Sequence, residues 1–153
     1  MMPTLNIGDL APDFSLLNHR GEEVRLSDYR GRRVLLWFFP QADTPGCRQE
    51  AIGFRDRMPH FWKADVVLLG VSFDDPERNR LFAERYGFPF DLLCDTRRRV
   101  ALAYGACDAA EDRAPRRMSY VIGVDGRIEQ AYPRVNPKNH PEDMLALLAD
   151  RQS

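Results

Sequence analysis

The sequence predicts an α/β fold in which a mixed central sheet is flanked by helices on both faces and preceded by an N-terminal strand or hairpin extension. Three observations carry this. Two long apolar runs, residues 34–39 (Val-Leu-Leu-Trp-Phe-Phe) and 66–73 (Val-Val-Leu-Leu-Gly-Val-Ser-Phe), have the length and composition of strands buried on both faces. Each run is followed by a helical stretch, as parallel strands require. Near the C-terminus, Asp125-Gly126 joins two strand-like segments as a hairpin, so the last part of the sheet is antiparallel.

Residues 7–30 read as an irregular arm with short strands. Asn18-His19-Arg20-Gly21 is a turn, and Val24-Arg25-Leu26 alternates. The run 34–39 stops at Pro40, a loop covers 41–46, and a helix spans about 45–61. After the run 66–73, Asp75-Pro76-Glu77 opens a helix: Asp75 can cap, Pro76 suits the first helical position, and acid belongs in the first turn. Leu81, Phe82 and Tyr86 share one face of that helix and Gly87 closes it. Residues 90–94 form a short third strand, and a helix carries Val100, Leu102, Ala103 and Tyr104 before Gly105. A strand at 118–124, the hairpin partner at 127–132 and an amphipathic helix over about 141–149 complete the chain. A mixed sheet in this order, with helices on both faces, is the thioredoxin-like arrangement.

The 153 residues read as a single domain, 1–153, large enough to bury a core without staples. A charged fraction of 29% beside a hydrophobic fraction of 44% excludes disordered and fibrous classes. No apolar run reaches the roughly 18 residues that span a bilayer, and the N-terminus lacks a leader pattern, so a cytoplasmic protein without a membrane partner is expected. The net charge of −1 gives no reason to expect nucleic-acid binding. Arginine supplies 20 of the 22 cations, and the triplet Arg97-Arg98-Arg99 reads as a solvated face. Three cysteines (Cys47, Cys94, Cys107) and scattered histidines (His19, His60, His140) form neither a disulfide framework nor a metal set, so no metal or other cofactor is expected.

The segment with chemical content is Phe39-Pro40-Gln41-Ala42-Asp43-Thr44-Pro45-Gly46-Cys47-Arg48-Gln49-Glu50. It lies where a buried strand hands over to a helix, at the sheet edge where α/β proteins place their sites. With Thr44 as N-cap and Pro45 at the first position, Cys47 falls at the third position of the first turn. Free backbone N–H groups and the positive end of the helix dipole there stabilise a thiolate, the reactive form of cysteine. A buried, inert cysteine is the other reading of the same placement.

Pro40-x-x-x-Thr44-x-x-Cys47 resembles the active-site motif of the peroxiredoxins, and the resemblance covers most of the chain. Gly8-Asp9-Leu10-Ala11-Pro12-Asp13-Phe14 is similar to their N-terminal G-x-x-A-P-x-F. Leu26-Ser27-Asp28-Tyr29-Arg30-Gly31 and the run into Pro40 follow their pattern too. So does Arg117-Met118-Ser119-Tyr120-Val121-Ile122 with Asp125-Gly126. Thr44-Pro45-Gly46-Cys47 is the form of the bacterioferritin comigratory protein branch, also called PrxQ. The resemblance implies a thiol-dependent peroxidase. Its Cys47 thiolate would attack a hydroperoxide to give a sulfenic acid, later reduced by thioredoxin, glutaredoxin or a low-molecular-weight thiol. Arg117 would stabilise the sulfur and the peroxide oxygens. Thr44 would hydrogen-bond the peroxide, and Pro40 would shield the site from water. A strand antiparallel to 34–39 starts at the sheet end where that run finishes, which brings Arg117 towards Cys47. Glu50, three residues after Cys47, reads either as a carboxylate orienting Arg117 or as a solvated first-turn acid. The branch is often monomeric, which implies a monomer or weak dimer.

One departure stands out. Many members of the branch carry a resolving cysteine five residues after the peroxidatic one, and here that position is Ile52. Cys107, in a small polar segment flanked by Gly105 that reads as mobile, is a possible resolver. Cys94 reads as core. A one-cysteine mechanism with an external thiol is the third possibility. A non-turnover redox sensor or holdase using Cys47 oxidation is the competing function. A dithiol exchange reaction is closed, because no CxxC is present. His60 lies about 20 Å along the helix from Cys47, too far for a dyad.

Overall fold

The apolar run after Arg32 forms the centre of the sheet. In the computed structural model, which describes residues 5–150, β1 (Ser15–Asn18), β2 (Glu23–Arg25) and β3 (Arg33–Phe38) precede α1 (Pro45–Lys63). They are followed by β4 (Val66–Ser72), α2 (Pro76–Tyr86), β5 (Asp91–Cys94), α3 (Arg99–Ala103), β6 (Met118–Ile122), β7 (Ile128–Tyr132) and α4 (His140–Asp150). The sheet order is β2-β1-β5-β4-β3-β6-β7. Strands β3, β4 and β5 are parallel, and β6 and β7 continue antiparallel on one side. The β1–β2 hairpin adds antiparallel to β5 on the other. This is the expected mixed sheet with an N-terminal hairpin extension. The leader reading rests on residues 1–4 as well, which lie outside the described residues. Among the described residues, no helix is long and apolar enough to cross a membrane.

Because side chains alternate along a strand, the central strands feed two cores. Leu35, Trp37, Leu68, Leu92 and Val121 face α1, α2 and α4. Val34, Leu36, Phe38, Leu69, Val71, Leu93 and Tyr120 face the other side, under α3 and the N-terminal arm. Both faces being covered is why these strands read as continuous apolar runs rather than alternating ones.

Helix ends follow their sequence signals. The Asp75 carboxylate accepts from Arg78 N–H at 2.9 Å, Pro76 opens α2, and Gly87 closes it at φ 65°. The hairpin after β6 differs from expectation. Gly126 N–H donates to Gly123 O at 3.0 Å, so Val124 and Asp125 are the corner residues and Gly126, at φ 81°, follows them in the left-handed region. β6 therefore ends at Ile122, two residues early. The arginine triplet also differs. Arg98 is the N-cap of the five-residue α3, and its guanidinium lies 4.6 Å from the Phe73 ring centroid and donates to Asp112 O. Packing against an aromatic face, not solvation alone, uses this cation.

Candidate active site

The site is built where β3 ends. Phe39 N–H still donates to Val71 O at 3.0 Å. Pro40 has no N–H to continue the ladder, and the chain leaves the sheet. Thr44 has extended backbone angles and is the N-cap of α1, with Pro45 next, so Cys47 occupies the third helical position as expected. The Thr44 hydroxyl donates to Gln41 O at 2.8 Å instead of accepting from the helix. The first-turn amides are thus left without a side-chain cap, and the Thr44 oxygen keeps its acceptor capacity. Half-buried Pro40 and exposed Gln41 border a cleft of about 410 Å³ with Phe73, Asp74 and Arg98.

Cys47 is fully buried. Two donors reach its sulfur: Gln41 N–H at 3.5 Å and Arg117 Nη2 at 3.4 Å. The antiparallel register, with Phe38 opposite Met118, brings Arg117 to the sheet edge where α1 begins. Arg117 is steered by Glu50, whose Oε1 accepts from Nη1 at 2.8 Å. Gly46 makes room for this fork: a Cβ there would meet Arg117 Nη2 at 2.8 Å. Arg117 and Cys47 are thus brought together, while Pro40 and Thr44 lie in the short segment that leads from β3 into α1.

Glu50 is not a solvated first-turn acid. It lies in the second turn, wholly buried, and Oε2 has no hydrogen-bond partner among the described residues. Burial pushes its carboxyl up to about 7, against the pull of Arg117. One guanidinium thus faces two acidic groups. When Glu50 is protonated, the full positive charge of Arg117 is left to the sulfur.

Beneath the site, Ser119 Oγ and His140 Nε2 are 2.7 Å apart, and His140 lies edge-on to Phe54. Burial pushes His140 down to about 4, and the Arg117 charge adds to this. The sequence lists His140 among unassigned histidines, and nothing in its neighbours signals the pairing. Asp43 was equally invisible. It takes φ 58°, and its carboxylate accepts from Arg48, Arg85 and Tyr86. Partial burial would raise it, but the hydrogen bonds from Arg48, Tyr86 and Arg85 hold it below the usual range.

The other two thiols are not brought to Cys47. Cys107 is 2% exposed and packs in the α3-side core, on the opposite sheet face. The segment around it is pinned, not open: Arg116 N–H donates to Ala106 O at 2.7 Å and Arg116 Nη1 to Gly105 O at 3.0 Å. Burial pushes the Cys107 thiol up. Cys94 ends β5 in the core, as expected. It accepts from Asn79 Nδ2 at 3.4 Å, and burial pushes it up to about 11.

The AhpC/TSA family profile matches residues 7–131. The chain is 38% identical to Peroxiredoxin Bcp of Escherichia coli over 154 aligned positions, covering 97% of this chain and 99% of that protein. It is 36% identical to Peroxiredoxin Bcp of Bacillus subtilis, covering 96% and 97%. Among solved structures, the peroxidoxin BcpB of Mycobacterium tuberculosis superposes with a TM-score of 0.88 at 30% identity, covering 96% and 98%. A bacterioferritin comigratory protein of Xanthomonas campestris, described for its alkyl peroxide reduction activity, gives 0.85 at 25% identity, covering 92% of each chain. The buried cysteine at a helix N-terminus, the guanidinium aimed at its sulfur and these matches together show that the chain belongs to the AhpC/TSA family, as a peroxiredoxin of the Bcp/PrxQ branch.

Proposed function

We propose that this peroxiredoxin reduces hydrogen peroxide and small organic hydroperoxides through a sulfenic acid at Cys47, and that an external thiol resolves it. The observation that carries the reading is the Arg117 guanidinium 3.4 Å from a fully buried Cys47 sulfur at a helix N-terminus. Guanidinium and amide donors aimed at one sulfur favour negative charge on it. The Cys47 thiolate attacks one peroxide oxygen. The O–O bond breaks, an S–O bond forms, and the leaving oxygen takes a proton to become water or an alcohol. Cysteine is oxidised by two electrons and the peroxide is reduced by two. Arg117 and the Gln41 amide stay with the charge as it moves from sulfur to oxygen. The Thr44 oxygen, its own proton committed to Gln41 O, is free to accept from the peroxide O–H. Pro40 removes a competing N–H and screens water.

Burial of Cys94 and Cys107, the latter in the core on the opposite sheet face, supports resolution by a thiol from outside. Thioredoxin, glutaredoxin and a low-molecular-weight thiol are the candidate reductants, and a cytoplasmic setting with a monomer or weak dimer fits them. The test is peroxide titration of the reduced protein with intact mass and peptide mapping, and Cys47→Ser as control. Addition of one oxygen at Cys47 alone, followed by turnover when thiol is supplied, is expected. A Cys47–Cys107 or Cys47–Cys94 bridge would make it a two-cysteine enzyme. A single oxidation without turnover would make it a sensor. No reaction at Cys47 above the rate of a free thiol would overturn the reading.

A further inference from the structure

Two acidic groups face one cation in a buried site. Cys47 and Glu50 are three residues apart in α1, so they lie on one helix face, and both are 0% exposed. Arg117 reaches both from the edge of β6: Nη2 is 3.4 Å from Cys47 Sγ, and Nη1 is 2.8 Å from Glu50 Oε1. With both groups ionised, two negative charges closed to solvent would stand against one positive charge, which burial makes costly. One negative charge is balanced and the second is not. The hydrogen bonds show which group suits the proton. The Gln41 N–H and Arg117 both aim donors at the sulfur. Glu50 accepts through Oε1, and its Oε2 has no partner among the described residues. An ionised carboxylate would leave charge on that bare oxygen, whereas a proton on Oε2 removes it. Arg117 is the charged group that bears on Glu50. His140, at the start of α4, also lies in the field of Arg117 and is neutral above about 4. Burial lifts the Glu50 carboxyl to about 7, and a thiolate across the guanidinium is a like charge that lifts it further.

We propose that Cys47 and Glu50 share one proton across Arg117: Glu50 holds it while Cys47 is a thiolate and gives it up when the sulfur is oxidised. Glu50 acts on the sulfur through Arg117 and is a positioning residue. The inference rests on the peroxidase reading and adds where the proton of its chemical step is kept. The thiolate takes the terminal oxygen of the peroxide together with its hydrogen. The O–O bond breaks, an S–O bond forms, and the leaving oxygen departs as an anion that takes up one proton. The sulfur, oxidised by two electrons, is now neutral. Arg117 then has one anion left to balance, and Glu50 ionises. The proton gained by the leaving oxygen is thus matched by the proton lost from Glu50, and the site draws none from solvent. Two external thiols reverse the change. They reduce the sulfenic acid by two electrons, leave as a disulfide with release of water, and return Cys47 to thiolate and Glu50 to carboxylic acid. Because the two groups are coupled, their titration belongs to the pair.

The test counts protons. Reduced protein in weak buffer at about pH 8, with an indicator dye, receives one equivalent of hydrogen peroxide, and the proton uptake per oxidised Cys47 is compared between wild type and Glu50→Gln. Gln keeps the acceptor for Arg117 and cannot hold the shared proton. Glu50→Gln is expected to take up one proton more per sulfur than the wild type. Infrared difference spectra of the wild type are expected to lose the carbonyl band of one protonated carboxyl on oxidation. Cys47→Ser, which is not oxidised there, keeps that band. A merely structural role for Glu50 would move neither readout, and the infrared result does not depend on whether Glu50→Gln folds. Equal uptake in wild type and Glu50→Gln, or a carboxyl band that survives oxidation, would overturn the shared proton. Wild-type protein that is not oxidised at Cys47 would overturn the peroxidase reading instead. A pH titration of the reduced protein, following thiolate absorbance and the carboxyl band together, would then still decide the proposal: the band must persist where the thiolate is present, and its loss before the thiolate forms would refute it.

Discussion

Cys47 and Cys107 are both buried, at 0% and 2% exposure, yet they sit in opposite chemical settings across the same sheet. Cys47 faces a guanidinium and a backbone N–H at the start of a 19-residue helix. Cys107 packs in the α3-side core, and its S–H donates to Ala109 O at 3.7 Å. Cys107 therefore spends its proton on a carbonyl, whereas the Cys47 sulfur accepts from two donors. Burial does not tell these two cysteines apart, and the nearest dipoles and charges do.

The strongest way to break the comparison is to take the guanidinium from Cys47. Arg117→Lys keeps the charge but cannot fork between Glu50 and the sulfur. Peroxide reduction measured by stopped flow should fall about a hundredfold or more, on the scale of losing one preorganised donor. An unchanged rate would mean the Cys47 setting rests on the Gln41 amide and the helix N-terminus. Gly46→Ala tests the same fork from the other side. Its methyl would lie 2.8 Å from Arg117 Nη2, so the guanidinium must shift, and a loss of about tenfold or more is expected at little cost in stability.

Glu50 and His140 sharpen the comparison through pH. Glu50 holds its proton up to about 7 in the folded protein against 4.5 unfolded, so between these values the native state binds more protons and stability falls as pH rises. His140 titrates near 4 folded against 6.5 unfolded, so its contribution rises with pH over that window. Each effect is worth about 3 kcal/mol at most, and between about pH 4.5 and 6.5 they oppose each other. Urea midpoints of the wild type should be nearly flat there, and those of Glu50→Gln should climb with pH. A wild-type profile that climbs as steeply as that of the variant would show that Glu50 ionises normally. The smallest effect belongs to Cys107→Ala. It should leave turnover with added thiol unchanged and cost about 1 kcal/mol of stability for the small void it leaves. Lost turnover would make Cys107 the resolver and erase the contrast between the two cysteines.

Most of the fold was legible. The buried runs of β3 and β4, the Asp75-Pro76 start and the Gly87 stop of α2 announce themselves locally, because period, capping and turn chemistry are properties of neighbouring residues. The corner after β6 was placed one residue late, because a glycine that follows a turn and a glycine within one read alike. In the site, Thr44, Cys47 and Pro40 share one short segment and could be read together. The segment around Cys107 read as mobile because its composition is small and polar. Arg116, nine residues on, pins it through two carbonyls, and no local pattern shows that.

The sequence by itself determined the element order, the position of Cys47 in the first turn of a helix, and the family, because each depends on residues adjacent in the chain or on their order along it. Tertiary structure decided the rest. It brought Arg117 across 70 positions to the sulfur, buried Glu50 under it, and set Arg85 and Tyr86 of α2 against Asp43. It also put Cys107 behind the sheet. Those outcomes depend on strand register and on which face each helix covers, and Arg117 would reach neither Cys47 nor Glu50 if β6 were shifted by one residue.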